Sequence, residues 1–595
     1  MKKKIEFCLL YRDMWQSAGK YVPRVDQLTE VAPAIIKMGC FSRVETNGGA
    51  FEQVNLLYGE NPNKAVREWV KPFNEAGIKS MMLERALNGL RMYPVPADVR
   101  QLMCKVKKAQ GVNIIRSFCG LNDPRNLELS VKYAKEAGMI SQAALSITYS
   151  EIHTVEYYMN VVDELVKFGA DEIALKDMAG IGRPVMLGRL VKAIKEKYPH
   201  ILVQYHGHSG PGFAVASILE VAKNGVDIID VGMEPLSWGM GHPDVITVQA
   251  MLKDAGFDVP EIDMNAYMEA RSLTQKFVDD FLGFFIDNKN KLMSSLMIGS
   301  GLPGGMMGSM MADLKGAHNG INMFLRNAGK KELTEDELLV QLFDEVRYVW
   351  PKLGNPPLVT PFSQYVKNVA LMNILQMSQG KERYSQIDKN SWDMILGRTG
   401  KLPGTLAPEI IALAKQNNFE FFEGVPQENY PDELPKYRKE MEENGWELGE
   451  DEEELFELAM HDRQYRDYKS GVAKQKFEEE LEKAKNSSDV KIIVKEIKSP
   501  EVIKEEQIAK IKETCPNAKP VTATVSGTVL WELAIDEPSI HKPIGTLFEE
   551  GEVVCFVSAY FGNEEIPALY RGKLCGVMAK QGEKVTKGDI IAFLS

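Results

Sequence analysis

Three short stretches carry side chains that could do chemistry together: Arg12-Asp13 with Gln16 close behind, Lys176-Asp177, and His206-Gly207-His208. Alternate residues of an extended segment face the same side, so both imidazoles of the His-x-His pair project together. Two imidazoles and a carboxylate oxygen from Asp13 form a donor set suited to a divalent cation. An isolated His-x-His pair is more often one ring capping a hydrogen-bond network and one exposed ring. Three polar stretches at corresponding places of one framework turn the reading towards a metal. Lys176 has two readings. It is a plain ion pair with Asp177, or a buried amine of lowered pKa that takes up CO2 as a carbamate and becomes an anionic oxygen ligand. Residue types alone leave both open.

The framework that must position these groups is a repeated unit. A short apolar or β-branched run is followed by polar residues, an amphipathic helical stretch and a glycine. The strand-like runs are Ile5–Leu10, Ser42–Glu45, Ser80–Leu83, Val112–Ser117, Ile140–Thr148, Glu172–Leu175, Ile201–Tyr205 and Asp227–Val231. The intervening helices stop at glycines such as Gly39, Gly77, Gly111, Gly138, Gly169 and Gly225, the usual residue just past a helix end. Eight such units predict a (β/α)8 TIM barrel, whose chemistry sits at the C-terminal ends of the strands. A doubly wound sheet is the alternative, but the first strand-to-helix turn lacks a GxGxxG. Arg12-Asp13 then closes the first strand, Lys176-Asp177 the sixth and His206-His208 the seventh.

The remaining segments change character. Residues 1–263 read as the barrel and 264–470 as a helical domain, with helices expected over Tyr267–Leu282, Asp336–Val349, Ser363–Met377 and Pro408–Asn417. Residues 471–519 are dense in Lys and Glu and read as a solvated helix or linker with no binding role. Residues 520–595 switch to the period-two pattern of a small all-β domain. The length of 595 residues fits several domains, and the formal charge of −12 argues against a nucleic-acid surface. Seven scattered cysteines without a CxxC suggest a reducing compartment and no zinc cluster. The apolar run behind the N-terminal lysines is too short for a signal peptide, and no run is long enough to span a membrane. The expected location is cytoplasmic.

These residues resemble biotin-dependent carboxyltransferases that act on 2-oxo acids: the carboxyltransferase part of pyruvate carboxylase, the oxaloacetate decarboxylase α chain and the pyruvate-binding subunit of transcarboxylase. The family's RDxxQS motif is matched by Arg12-Asp13-Met14-Trp15-Gln16-Ser17, its KDMAG by Lys176-Asp177-Met178-Ala179-Gly180, and its HxH by His206 and His208. Asn122-Asp123-Pro124-Arg125-Asn126, Pro303-Gly304-Gly305, Val359-Thr360-Pro361 and Gly400-Lys401-Leu402-Pro403-Gly404 match further family segments. The resemblance implies a divalent metal (Zn, Mn or Co) held by Asp13, carboxylated Lys176, His206 and His208. It implies a 2-oxo acid site lined by Arg12, Gln16, Arg85 and Cys119, with Arg12, Gln16, Lys176 and Ser309 as catalytic residues. Ser309 would be the proton-shuttling hydroxyl, standing one place later than in the family. Cys119 replaces a family carboxylate, Leu87 replaces a Gln or small polar residue, and Asn47 replaces a tryptophan.

The C-terminal segment resembles a biotinyl/lipoyl-like domain, with Thr524–Val529 as its first strand and turn and Gly582–Ile591 as its closing repeat. Where that family places its biotin-bearing lysine, this chain has Phe561, inside Ser558-Ala559-Tyr560-Phe561-Gly562. Phenylalanine has no primary amine, so carboxybiotin is expected from a separate biotin carrier protein charged by a biotin carboxylase subunit, and a homo-oligomer is expected. The predicted function is carboxyl transfer between carboxybiotin and a pyruvate- or oxaloacetate-like acid. The alternatives are a non-catalytic scaffold or regulatory subunit, and an aldol-type lyase on the same barrel. Tyr560 and Phe561 are expected to form a docking tip.

Overall fold

The computed structural model describes residues 2–300, 304–487, 500–531, 542–559 and 562–595. The chain divides into two compact units, Met1–Asn486 and Ser487–Ser595.

The first unit is built on a closed parallel barrel of eight strands in sequential order. They are β1 Glu6–Leu9, β2 Phe41–Gly48, β3 Lys79–Glu84, β4 Ile114–Phe118, β5 Ile140–Ser146, β6 Glu172–Asp177, β7 Leu202–Gly207 and β8 Ile228–Val231. β8 closes on β1 with Glu6 opposite Ile228 and Leu9 opposite Val231. Every strand run read from the sequence is a strand, with ends shifted by a few residues. One shift matters: β1 stops at Leu9, and Arg12, Asp13 and Gln16 lie on the helix Tyr11–Ala18 that follows it. Arg12 and Gln16 are therefore neighbours one helical turn apart.

The barrel interior is charged as well as apolar. Arg43, Glu45, Arg116, Gln142, Glu172, Gln204 and Asp230 are all buried inside it. Most of them pair with one another: Arg43 donates to Glu172 at 2.8 Å, Gln142 to the same carboxylate at 2.7 Å, and Arg116 to Gln142 at 2.5 Å and to Asp230 at 2.6 Å, while Glu45 pairs with Arg12. Buried charges persist only when paired and hydrogen-bonded in this way.

Helices Met264–Asp280, Glu335–Lys352, Phe362–Ser378 and Pro408–Gln416 follow the barrel, close to the spans expected. Two of the family-like segments turn out to clamp this helical region to the barrel. Asp123 caps the helix Pro124–Glu136, pairs with Arg125 at 2.7 Å and accepts from the Lys401 N–H at 2.7 Å, while Asn126 donates to the Thr399 carbonyl at 3.0 Å. The charged segment is helical over Val472–Ser487, but this helix is not free in solvent. Phe477 packs edge-on against Tyr58 and Tyr21, and Glu480 accepts from the Tyr21 hydroxyl at 2.7 Å.

The second unit carries two four-stranded antiparallel sheets. One orders β13 Gly562–Pro567, β12 Val553–Ala559, β10 Gly527–Leu530 and β15 Lys584–Val585. The other orders β11 Leu547–Phe548, β14 Gly572–Val577, β16 Ile590–Leu594 and β9 Lys519–Thr522. Its core is formed by residues such as Val529, Trp531, Val557, Ile566 and Ile591. Ala559 of β12 pairs with Gly562 of β13. Tyr560 and Phe561, which join them in the sequence, lie outside the described residues. Lys542 sits over the Phe548 ring at 4.9 Å, and Lys573 lies within β14 opposite Leu547.

Candidate metal centre at the barrel mouth

The C-terminal ends of the strands bring Asp13, Lys176, His206 and His208 together. Asp13 is presented by the first turn of the helix after β1, Lys176 by β6, and His206 by β7, with His208 just beyond the strand. The two imidazoles do face one side: their Nε2 atoms are 3.3 Å apart. His208 and His206 stand 3.4 and 3.8 Å from Asp13 Oδ2. Lys176 Nζ lies 3.0 Å from His206 Nε2. Gly180 of the KDMAG stretch adopts φ +67, and a Cβ there would lie 2.3 Å from the His208 carbonyl oxygen, so this turn requires glycine to let the two loops meet.

A fourth residue completes the cluster. His242, in the loop after β8, places Nε2 2.9 Å from Asp13 Oδ2. Asp13, His206, His208 and His242 each offer one ligand atom, all within 4.8 Å of one another. Reading only the ends of the first, sixth and seventh strands misses His242. The signal for it was a histidine in Gly241-His242-Pro243-Asp244, in the segment between the eighth strand and the helix that follows it.

The imidazoles are held in one tautomer. His208 Nδ1 donates to the Met240 carbonyl at 2.7 Å and His242 Nδ1 to the Gly207 carbonyl at 3.0 Å. Carbonyls only accept, so both Nδ1 atoms carry the proton. His206 Nδ1 faces the Asp230 carboxylate at 2.9 Å, which fixes its ring in the same way and is itself anchored by Arg116. Burial and the neighbouring Lys176 hold His206 well below its ordinary pKa, and burial with the neighbouring His242 lowers His208, so these rings are neutral. Burial by itself would raise the Asp13 carboxyl, but the Arg12 charge, helped by the adjoining His208 and His242, holds it well below the usual range. Ring nitrogens and a carboxylate oxygen thus converge on one point, an arrangement suited to a divalent cation.

Lys176 is fully buried, and burial draws its ammonium down to about 8, against the opposing charges of Asp13 and Glu45. It does not pair with Asp177. That carboxylate turns the other way and accepts from the Ile181 and Gly182 N–H groups at 3.0 and 2.9 Å, as the alternation of a strand requires.

Arg12 is 2 % exposed, and its donors are occupied. Nε meets Glu45 at 2.8 Å, Nη1 meets the Gly49 carbonyl at 3.1 Å and the Gln16 side-chain oxygen, and Nη2 meets Asp13 at 3.1 Å. Gln16 is exposed, and because its oxygen accepts from Arg12 its amide NH2 is turned outward. Arg85, after β3, donates Nη1 to the Leu90 carbonyl at 2.8 Å and lies against Gly49. Burial and the nearby Arg12 lower it to about 10. Cys119 follows β4, and its thiol accepts from Asn126 at 3.3 Å. Burial and Asp123 push it up to about 11. Among the described contacts none joins it to the Asp13 cluster. Ser309 falls within the helix Gly304–Asn327, and its side chain lies outside what is described.

Several known proteins have related sequences. A family model described as a conserved carboxylase domain matches residues 330–511, and an HMGL-like model matches residues 125–274. A pyruvate carboxylase subunit of Methanocaldococcus jannaschii is 26 % identical over 584 residues, covering 98 % of this chain and 92 % of that protein. The 2-oxoglutarate carboxylase large subunit of Hydrogenobacter thermophilus is 31 % identical over 400 residues, covering 65 % of this chain and 56 % of that protein. The methylmalonyl-CoA carboxyltransferase 5S subunit of Propionibacterium freudenreichii is 28 % identical over 412 residues, covering 69 % and 76 %. The carboxyl transferase domain of Rhizobium etli pyruvate carboxylase, solved with oxamate and biotin, has the same fold, with a TM-score of 0.67 at 22 % identity, covering 80 % of this chain and 78 % of that one. The chain is thus similar in sequence to these carboxylase and carboxyltransferase subunits.

Proposed function

We propose that this chain is the carboxyltransferase subunit of a biotin-dependent enzyme, moving a carboxyl group between carboxybiotin on a separate carrier and a 2-oxo acid of the pyruvate or oxaloacetate type. The observation that carries this reading is the convergence of Asp13, His206 and His208 beside the buried amine of Lys176. Asp13, His206, His208 and Lys176 as its carbamate would hold a divalent cation (Zn, Mn or Co), which would supply Lewis-acid stabilisation of negative charge on the keto oxygen.

The chain's own residues do the rest. Burial draws Lys176 down to about 8, which eases loss of the proton that must leave before the amine can take up CO2. Arg85 offers a guanidinium at the mouth for the acid's carboxylate. Arg12 acts mainly as a positioning residue, holding Asp13 by charge and turning the Gln16 amide outward towards the substrate. Cys119 contributes a neutral thiol where a charged group would repel an anion, and Ser309 is assigned the proton transfer between substrate methyl and biotin.

Carboxybiotin must come from elsewhere, because Phe561 stands at the attachment position and neither Lys542 nor Lys573 lies on β12 or β13. The partners are therefore a biotinylated carrier and a biotin carboxylase subunit, within a homo-oligomeric assembly. A cytoplasmic setting agrees with the seven free cysteines. No helix among the described residues is long and apolar enough to cross a membrane. A cleft of about 540 Å³ beside the mouth, lined by Tyr149, Arg183, Arg347 and Trp350 among others, is the approach assigned to the carrier.

The test is transfer of labelled carboxylate between a biotinylated carrier, or free biotin, and a panel of 2-oxo acids, alongside a streptavidin blot of the chain. Transfer with an unbiotinylated chain is expected. No transfer with any acid, together with the absence of bound metal, would sink the proposal in favour of a scaffold. The HMGL-like match supports the aldol-type alternative, which a mass increase of one CO2 on Lys176 would count against.

A further inference from the structure

Resting on the reading that a divalent cation sits in this cluster, we infer that His242 is one of its ligands. The chain then supplies three imidazoles and a carboxylate before Lys176 contributes anything. The geometry is specific. His242 Nε2 is the imidazole nitrogen nearest Asp13 Oδ2, at 2.9 Å against 3.4 Å for His208 and 3.8 Å for His206. Its ring centre lies 4.2 Å from that of His208 and 4.8 Å from that of His206. The residue is 0 % exposed.

The loop that carries His242 is fixed on both sides. The Trp238 N–H donates to the His242 carbonyl at 2.7 Å, and the Gly232 N–H to the Pro243 carbonyl at 2.9 Å. Trp238 and Gly239 take the left-handed conformation, with φ 68 and φ 52, and a Cβ at Gly239 would lie 2.3 Å from the Asn290 carbonyl oxygen. A backbone held in this region by its surroundings is a device for placing a side chain.

The competing role for His242 is a hydrogen-bond donor to Asp13. The Gly207 carbonyl argues against it. It can only accept from Nδ1, so Nε2 is the ring atom turned to the Asp13 oxygen and available as a ligand. A cation shared by that nitrogen and the Asp13 oxygen would satisfy both. The consequence for the metal is selectivity: an imidazole-rich set favours zinc or cobalt over magnesium or calcium, which prefer all-oxygen shells.

The test uses the full chain, stripped with a chelator and reloaded with Co2+. X-ray absorption of the wild type counts imidazoles directly, and Co2+ titration followed by the visible d–d bands compares it with His242→Gln and His242→Ala. Glutamine can still donate to Asp13 but replaces an imidazole ligand poorly. Three imidazoles in the wild type are expected, with Co2+ affinity weakened at least ~10- to 100-fold in both variants and an altered spectrum in any residual complex. Two imidazoles in the wild type, or His242→Gln binding Co2+ as tightly and with the same spectrum, would overturn the inference while leaving the metal reading intact. Failure of the wild type to bind Co2+ would overturn both. If the variants do not fold, the wild-type imidazole count decides.

Discussion

Two largely buried polar clusters lie in the first unit, and they differ in one respect. At the mouth, Asp13, His206, His208 and His242 point lone pairs at one another, and the nearest cationic group is Lys176, 3.0 Å from His206. On the barrel flank, Lys107 sits between Glu52 at 3.3 Å and Glu457 at 3.5 Å, with Gln110 at 3.0 Å and Asn47 donating to Glu52 at 3.0 Å. There the cation is covalently part of the chain and ties the helix Ala97–Ala109 to the helix Glu453–Met460. Burial of charged residues does not by itself mark a functional site, since both clusters have it. What distinguishes the mouth is that three imidazole nitrogens and a carboxylate oxygen converge within 4.8 Å of one another, a donor set suited to a metal.

The sharpest way to break this contrast is at Asp13. Asp13→Ala is expected to lower carboxyl transfer by roughly 10³-fold and to leave the purified chain without stoichiometric metal, as read by plasma emission. Full metal content in that variant would remove the distinction between the clusters. Lys107→Met should do the opposite. It leaves buried Glu52 and Glu457 without their lysine partner and is expected to cost about 3–5 kcal/mol of stability in denaturant unfolding, with metal content per folded chain unchanged.

Arg85→Gln tests the substrate side of the mouth. It removes a charged partner for the acid's carboxylate, so kcat/KM should fall by roughly 10- to 100-fold while metal content stays at the wild-type level. Equal loss for a neutral keto substrate would show that Arg85 acts on the fold rather than on the carboxylate.

The smallest effect concerns pH. Burial pushes the Glu457 carboxyl up to about 8, with Lys107 opposing. Between the ordinary value and 8 the folded state holds this proton more often than the unfolded chain does. Its contribution to stability is therefore complete below the ordinary carboxylate pKa and is lost as pH rises through 8. Glu457→Gln should gain stability over the wild type as pH goes from 5 to 8.5, by roughly 2 °C in melting temperature. A difference that does not change with pH would mean that Glu457 keeps its ordinary titration.

Much of this was legible along the chain. The eight strands and their order follow from the period of apolar runs and glycine stops, because each βα unit is set by local pattern. The pairing of His206 with His208 follows from strand alternation, and the missing amine at position 561 from residue identity alone. Arg12 was less legible: its charge suggested substrate, but the fold surrounds it with Glu45, Asp13, Gln16 and the Gly49 carbonyl. The flank cluster was invisible too, since Glu52, Lys107 and Glu457 lie far apart in the sequence and each sits among ordinary helical residues. The charged run after residue 471 read as solvated because composition does not reveal that Phe477 and Glu480 share one face against Tyr21 and Tyr58.

The sequence by itself determined the barrel, the helical region, the small all-β terminal unit and the residue types at the first, sixth and seventh strand ends. Those features depend on local periodicity and covalent identity. Only the tertiary structure decided that His242 meets Asp13 across 229 residues of chain, that Lys176 faces His206 rather than Asp177, and that backbone carbonyls fix which nitrogen of His208 and of His242 carries the proton. Convergence of groups from different strand ends is a property of barrel closure, and no single stretch of the chain contains it.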